Sequence, residues 1–82
     1  MSYIRLIQLK IFRDIASERS FVKAARINFV TQPSVSSHLK QLETELGVRL
    51  FDRAPRRVEL TAEGKLLLPY VEEILTKCDD LR

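Results

Sequence analysis

Eighty-two residues fit one small domain, and a hydrophobic fraction of 45% supports an ordered core rather than a disordered tail. So short a chain exposes much of its surface, which favours a helical hairpin, small bundle or winged helix over a fold with an internal ligand cavity. The formal net charge of +3 leans toward an anionic partner, a lone Cys78 excludes an intrachain disulfide, and no run approaches the ~20 apolar residues of a membrane span, so a cytoplasmic protein without a membrane partner is expected.

From Ile4 to Ala16, Leu6, Leu9, Phe12, Ile15 and Ala16 recur at three- and four-residue steps, one stripe of an amphipathic helix. Ile4, Ile7 and Ile11 form a second stripe, which a dimer partner would serve to cover. Ser20 is placed to cap a short second helix whose inward positions are Phe21, Ala24 and Ala25. Pro33 is tolerated only in a first turn, so the second helix ends before it and a third starts there, capped by Thr31.

On that third helix Val35, Leu39, Leu42 and Leu46 share one face, Pro33, Ser37, Lys40 and Thr44 the opposite one, and Gly47 supplies the C-cap. Two short helices joined by a turn, the second polar and uncharged over its first two turns, match a DNA-binding helix-turn-helix. The segments 49–53 and 57–60 then alternate as short strands around Ala54, Pro55 and Arg56, a hairpin with a basic tip: four arginines from Arg49 to Arg57 stand against Asp52. Thr61 can cap a fourth helix from Ala62 onward, in which Leu67, Val71, Ile74, Cys78 and Leu81 repeat at coiled-coil spacing. Pro69 inside it removes one backbone bond near Lys65 and should bend the helix.

Ser20-Phe21-x-x-Ala24-Ala25, Thr31-Gln32-Pro33-Ser34-Val35-Ser36, Leu42-Glu43-x-x-Leu46-Gly47-x-x-Leu50-Phe51-x-Arg53 and Leu60-Thr61-x-x-Gly64 follow one another in an order and spacing that resembles the N-terminal DNA-binding domain of LysR-type transcriptional regulators, over nearly the whole chain. The resemblance implies a mainly α winged helix-turn-helix over residues 1–61, three helices and a two-stranded wing, followed by a dimerising linker helix over 62–82. It also implies that the helix from Gln32 enters the major groove of double-stranded DNA, that the hairpin near Arg53 to Arg57 reaches an adjacent minor groove, and that the chain is a bacterial homodimer. A small-molecule effector would bind a further C-terminal domain, so these 82 residues read as a fragment. One departure concerns packing: the position usually leucine is Asn28, and Ile27 or Phe29 is expected to take its place in the core. Ser37 and His38 also replace other polar residues, so the base preference cannot be borrowed from a relative.

The expected base contacts are Gln32, Pro33, Ser36 and Ser37, within a DNA-facing first turn that includes Thr31 and Ser34. Gln32 can pair with adenine, the serines with several bases, and the Pro33 ring with a thymine methyl. Lys40 meets phosphate or a guanine. Arg53, Arg56 and Arg57 suit a narrow minor groove, Arg56 best, while Arg53 has the alternative of pairing with Glu43. His38 is as well explained by partial burial as by a DNA contact, and Cys78 is most simply a small core hydrophobe. The single histidine has no nucleophile and carboxylate beside it and no glycine-rich phosphate loop occurs, so neither an enzyme nor a cofactor is expected. The competing reading is a protein-interaction module working through the apolar stripes of the first and fourth helices.

Overall fold

The computed structural model describes residues 4–52 and 57–81. Four helices follow in order: α1 (Leu6–Glu18), α2 (Phe21–Asn28), α3 (Gln32–Leu46) and α4 (Ala62–Asp80). Between α3 and α4 an antiparallel bridge pairs Phe51 with Leu60, flanked by the Asp52 N–H donating to Glu59 O at 2.8 Å and the Thr61 N–H donating to Leu50 O at 3.0 Å. These bonds form the base of a hairpin, and the whole is a winged helix-turn-helix.

The helices begin where polar side chains satisfy orphan backbone donors. Ser20 accepts from the Lys23 N–H, Thr31 from the Ser34 N–H and Thr61 from the Gly64 N–H. Gly47, at φ 71°, ends α3 in the left-handed region. Arg19 and Phe29 end α1 and α2 in the same region without being glycines, at φ 51° and 56°.

The central helix is α1, on which α2, α3 and α4 all pack. That arrangement corrects two expectations for α1. Ile11 is fully buried within the chain itself and leaves nothing for a dimer partner to cover, whereas Leu6 lies outside the core, half exposed. Phe12, Ile15, Ala24, Val35, Leu39, Leu42, Leu50 and Phe51 complete the centre, with Phe51 meeting the rings of Phe12 and Phe21 at centroid distances of 5.6 and 6.3 Å.

The end of α2 also differs from expectation. Ile27 is half exposed and Phe29 is 94% exposed, so neither replaces a core leucine. Asn28 instead works as a polar clip: its Nδ2 donates to Asp14 Oδ2 on α1 and to Ala24 O, both at 2.9 Å. Asp14, itself buried, also accepts from Arg13 Nε at 3.1 Å. A hydrogen-bonded polar pair thus holds α2 to α1 where an apolar contact was expected.

Helix α4 remains helical through Pro69, whose missing donor costs one bond only. Val71 and Leu75 are buried and belong to the core. Gly64 packs so closely on the hairpin that a Cβ there would collide with the Leu50 carbonyl oxygen.

Candidate nucleic-acid interface

The outward face of α3 carries the expected contact residues as one block. Thr31, Gln32, Pro33, Ser36, Ser37 and Lys40 are exposed; Ser34 is half-buried, and its backbone N–H donates to the Thr31 cap. Val35, Leu39 and Leu42 anchor the opposite face in the core. With Pro33 in the first turn and the Thr31 cap in place, the helix starts sharply and presents an uncharged polar surface, able to both donate and accept.

Behind that surface, the last turn of α3 is tied to the wing. Glu43 is buried and its Oε2 accepts from the Leu50 N–H at 2.7 Å, while its carbonyl oxygen accepts from the Gly47 and Val48 N–H groups. Thr61 Oγ1 donates to Arg49 O at 2.6 Å, closing the other arm of the hairpin. Arg57 is exposed, within 3.5 Å of Glu59. Arg53 and Arg56, the other two expected wing contacts, lie outside the described residues, so the alternative pairing of Arg53 with Glu43 does too.

His38 is half-buried, with Nδ1 enclosed and without a hydrogen-bond partner.

The expected dimer seam divides between two environments. Val71 is 1% exposed and faces the core of its own chain, so it is not available to a partner of this fold, and Leu67 and Cys78 are half-buried beside it. Ile74 and Leu81 are exposed. The apolar stripe that α4 leaves open runs through Leu66, Tyr70, Ile74 and Leu81; it shares Ile74 and Leu81 with the seam but is rotated about a sixth of a turn from it, because α1 occupies the inner face. Beside the stripe a shallow, mainly apolar groove is lined by Leu46, Val48, Leu50, Leu66, Leu67 and Tyr70, with Glu63 its one charged residue.

Sequence reasoning missed the buried polar residues Gln8 and Asp14, and singled out Glu43 only as an alternative partner for Arg53. One signal was present for Gln8: it shares a helical face with Ile11 and Ile15, where a glutamine needs a partner. It has two, since Gln8 Oε1 accepts from the Arg5 N–H at 3.0 Å and Gln8 Nε2 donates to Gln41 Oε1 on α3 at 3.2 Å. Among the described residues no cluster of His, Cys, Asp and Glu could hold a metal ion, and no helix is long and apolar enough to cross a membrane.

The family model for the bacterial regulatory helix-turn-helix protein, lysR family, matches residues 6–65. A "Probable RuBisCO transcriptional regulator" of Thalassiosira pseudonana is 48% identical over 73 residues, 89% of this chain and 24% of that relative. The chain thus spans about a quarter of the length of the curated relatives it matches. Among solved structures, a full-length OxyR variant from Pseudomonas aeruginosa superimposes with a TM-score of 0.93 at 32% identity, over 98% of this chain and 27% of that one. The BenM DNA-binding domain in complex with catB site DNA gives 0.89 at 35% identity, over 94% of this chain and 86% of that one. With the matched model covering all of the helix-turn-helix and the base of the wing, the chain belongs to the lysR family of bacterial regulatory helix-turn-helix proteins.

Proposed function

We propose that this chain binds double-stranded DNA sequence-specifically to regulate transcription, as a cytoplasmic homodimer with the first turns of α3 in the major groove and the wing in an adjacent minor groove. The observation that carries this reading is the exposed block Thr31, Gln32, Pro33, Ser36 and Ser37, held at the start of α3 by its cap and from behind by the core. Base edges are read by side chains that donate and accept, and Gln32 is the residue suited to paired bonds with adenine. Lys40 and the wing arginines Arg53, Arg56 and Arg57 supply the phosphate and minor-groove terms. The fit of the BenM domain, solved on DNA, supports the same use of the surface.

Residues 1–61 serve as the reading unit in this scheme, and 62–82 as the helix that joins two copies. The dimer contact is the open stripe Leu66, Tyr70, Ile74 and Leu81, with Leu67 and Cys78 at its edge. A small-molecule effector acts outside these 82 residues. The test is selection of the chain against random duplex DNA at near-physiological salt, followed by sequencing. Enrichment of a two-fold symmetric motif is the expected result. Retention without enrichment removes the claim of sequence reading, and no retention moves the function to protein interaction.

A further inference from the structure

A cleft runs between the start of α1 and the outward face of α3, lined by Arg5, Gln8, Ser37, Lys40, Gln41, Thr44 and Glu45. It adjoins the base-reading block through Ser37 and Lys40, yet its other wall comes from a helix outside the helix-turn-helix. The polarity of that wall follows from one fixed point. The Arg5 N–H can only donate, so the Gln8 atom it meets at 3.0 Å is the carbonyl oxygen. Gln8 therefore turns its NH2 toward Gln41, which must answer with its own oxygen, at 3.2 Å. Gln41 is left with its NH2 free of that bond, as a donor beside the cleft. Buried Gln8 acts as a relay that orients an exposed amide.

We infer, resting on the DNA-binding reading above, that Arg5, Lys40 and Gln41 grip one backbone phosphate at the edge of the major groove. Two cations and an oriented neutral donor line one cleft, from the cap of α1 and from α3, and a phosphodiester oxygen can accept from all three. Glu45, the one acid in the lining, already has an interaction of its own and sits one turn of α3 beyond Gln41. The grip sets the angle of α1 against the duplex and so the depth to which α3 enters.

The test measures affinity for the duplex that the wild-type chain selects, across a salt series, for Arg5→Ala and Gln41→Leu. Arg5→Ala keeps the backbone N–H on which the relay depends, so its melting temperature reports an intact fold. The expected result is a slope of log affinity against log salt that is shallower by about 0.9 for Arg5→Ala, the loss of one phosphate contact. Gln41→Leu should bind about tenfold more weakly at every salt with the same preferred sequence, as fits a lost neutral donor to a charged acceptor. A wild-type slope in Arg5→Ala overturns the inference, as does a changed base preference in Gln41→Leu, which would make Gln41 a base reader. A wild-type chain that retains no duplex removes the DNA reading itself, a failure seen before any variant is made.

Discussion

The Glu43 carboxylate accepts a hydrogen bond from the Leu50 backbone N–H at 2.7 Å, in a buried site, and so fixes the base of the wing to the last turn of α3. Removing the carboxylate leaves the Leu50 N–H buried and unsatisfied. Bonds to charged acceptors contribute about 1.5 to 3 kcal/mol. Glu43→Ala is therefore expected to lower the melting temperature by roughly 10 °C for a domain this size. Glu43→Gln, which keeps an oxygen in place, should lose less than half of that. Equal losses in the two variants would show that charge, rather than the bond to Leu50, matters.

At Gly64 two effects oppose each other. Alanine is favoured over glycine in a helix by about 1 kcal/mol, but its Cβ would strike the Leu50 carbonyl oxygen and the Leu60 side chain. The carbonyl is backbone and is already held by the Thr61 N–H, so it cannot turn aside. Overpacking of this kind costs about 1 to 3 kcal/mol and more when backbone must move. Gly64→Ala should therefore be destabilising by chemical denaturation, and a stabilised variant would show that α4 docks more loosely than described.

Phe29 offers the reverse case. Its ring is exposed and its backbone sits at φ 56°, ψ 41°, so it contributes no burial and carries left-handed strain. That strain is about 1 to 2 kcal/mol against a glycine entropy cost of about 0.5 to 1. Phe29→Gly should raise stability by about 0.5 to 1 kcal/mol in a denaturant melt. A loss of stability would mean that the ring makes a contact in solution.

Much of this architecture is written in local sequence rules. Ser20, Thr31 and Thr61 each cap the helix they precede, Gly47 ends α3, and the three-to-four spacing of Val35, Leu39 and Leu42 gives the buried face. The exposed polar block on α3 follows from the same wheel. What local rules cannot reveal is which faces the rest of the chain covers. Ile11 and Val71 each looked available because a wheel shows only one helix, and both are buried because α1 is packed on by three others. The Asp14 and Asn28 clip escaped for a related reason. Its partners lie fourteen residues apart, and an asparagine in a leucine position suggests a packing defect until its acceptor is seen.

Recognition should depend on Gln32 more than on any single phosphate contact. Gln32 is exposed in the first turn of α3 and makes no contribution to the core. Gln32→Ala should leave the melt unchanged and cost ~1 to 3 kcal/mol at one base position of the selected motif. A uniform loss across sequences would place Gln32 on the phosphate backbone, and an unchanged motif would move the reading surface elsewhere.

The two faces of α4 make opposite predictions for assembly. Val71 is a core residue, so Val71→Ala should lower thermal stability through a cavity, by ~2 kcal/mol, while the chain keeps its oligomeric mass. Tyr70 and Ile74 are 66% and 44% exposed in the single chain. A glutamate at either would place a charge in the proposed apolar contact between two copies, where no cation of the same stripe other than Lys77 lies within a turn. Tyr70→Glu and Ile74→Glu should therefore halve the mass seen by light scattering, leave the helical content of the monomer intact, and weaken binding to a symmetric site far more than to a single half-site. If Val71→Ala releases monomers and Tyr70→Glu does not, the seam Leu67, Val71, Ile74, Cys78 and Leu81 is the true interface. In that case α4 must leave α1 on dimerisation, and core burial of Val71 would belong only to the isolated chain.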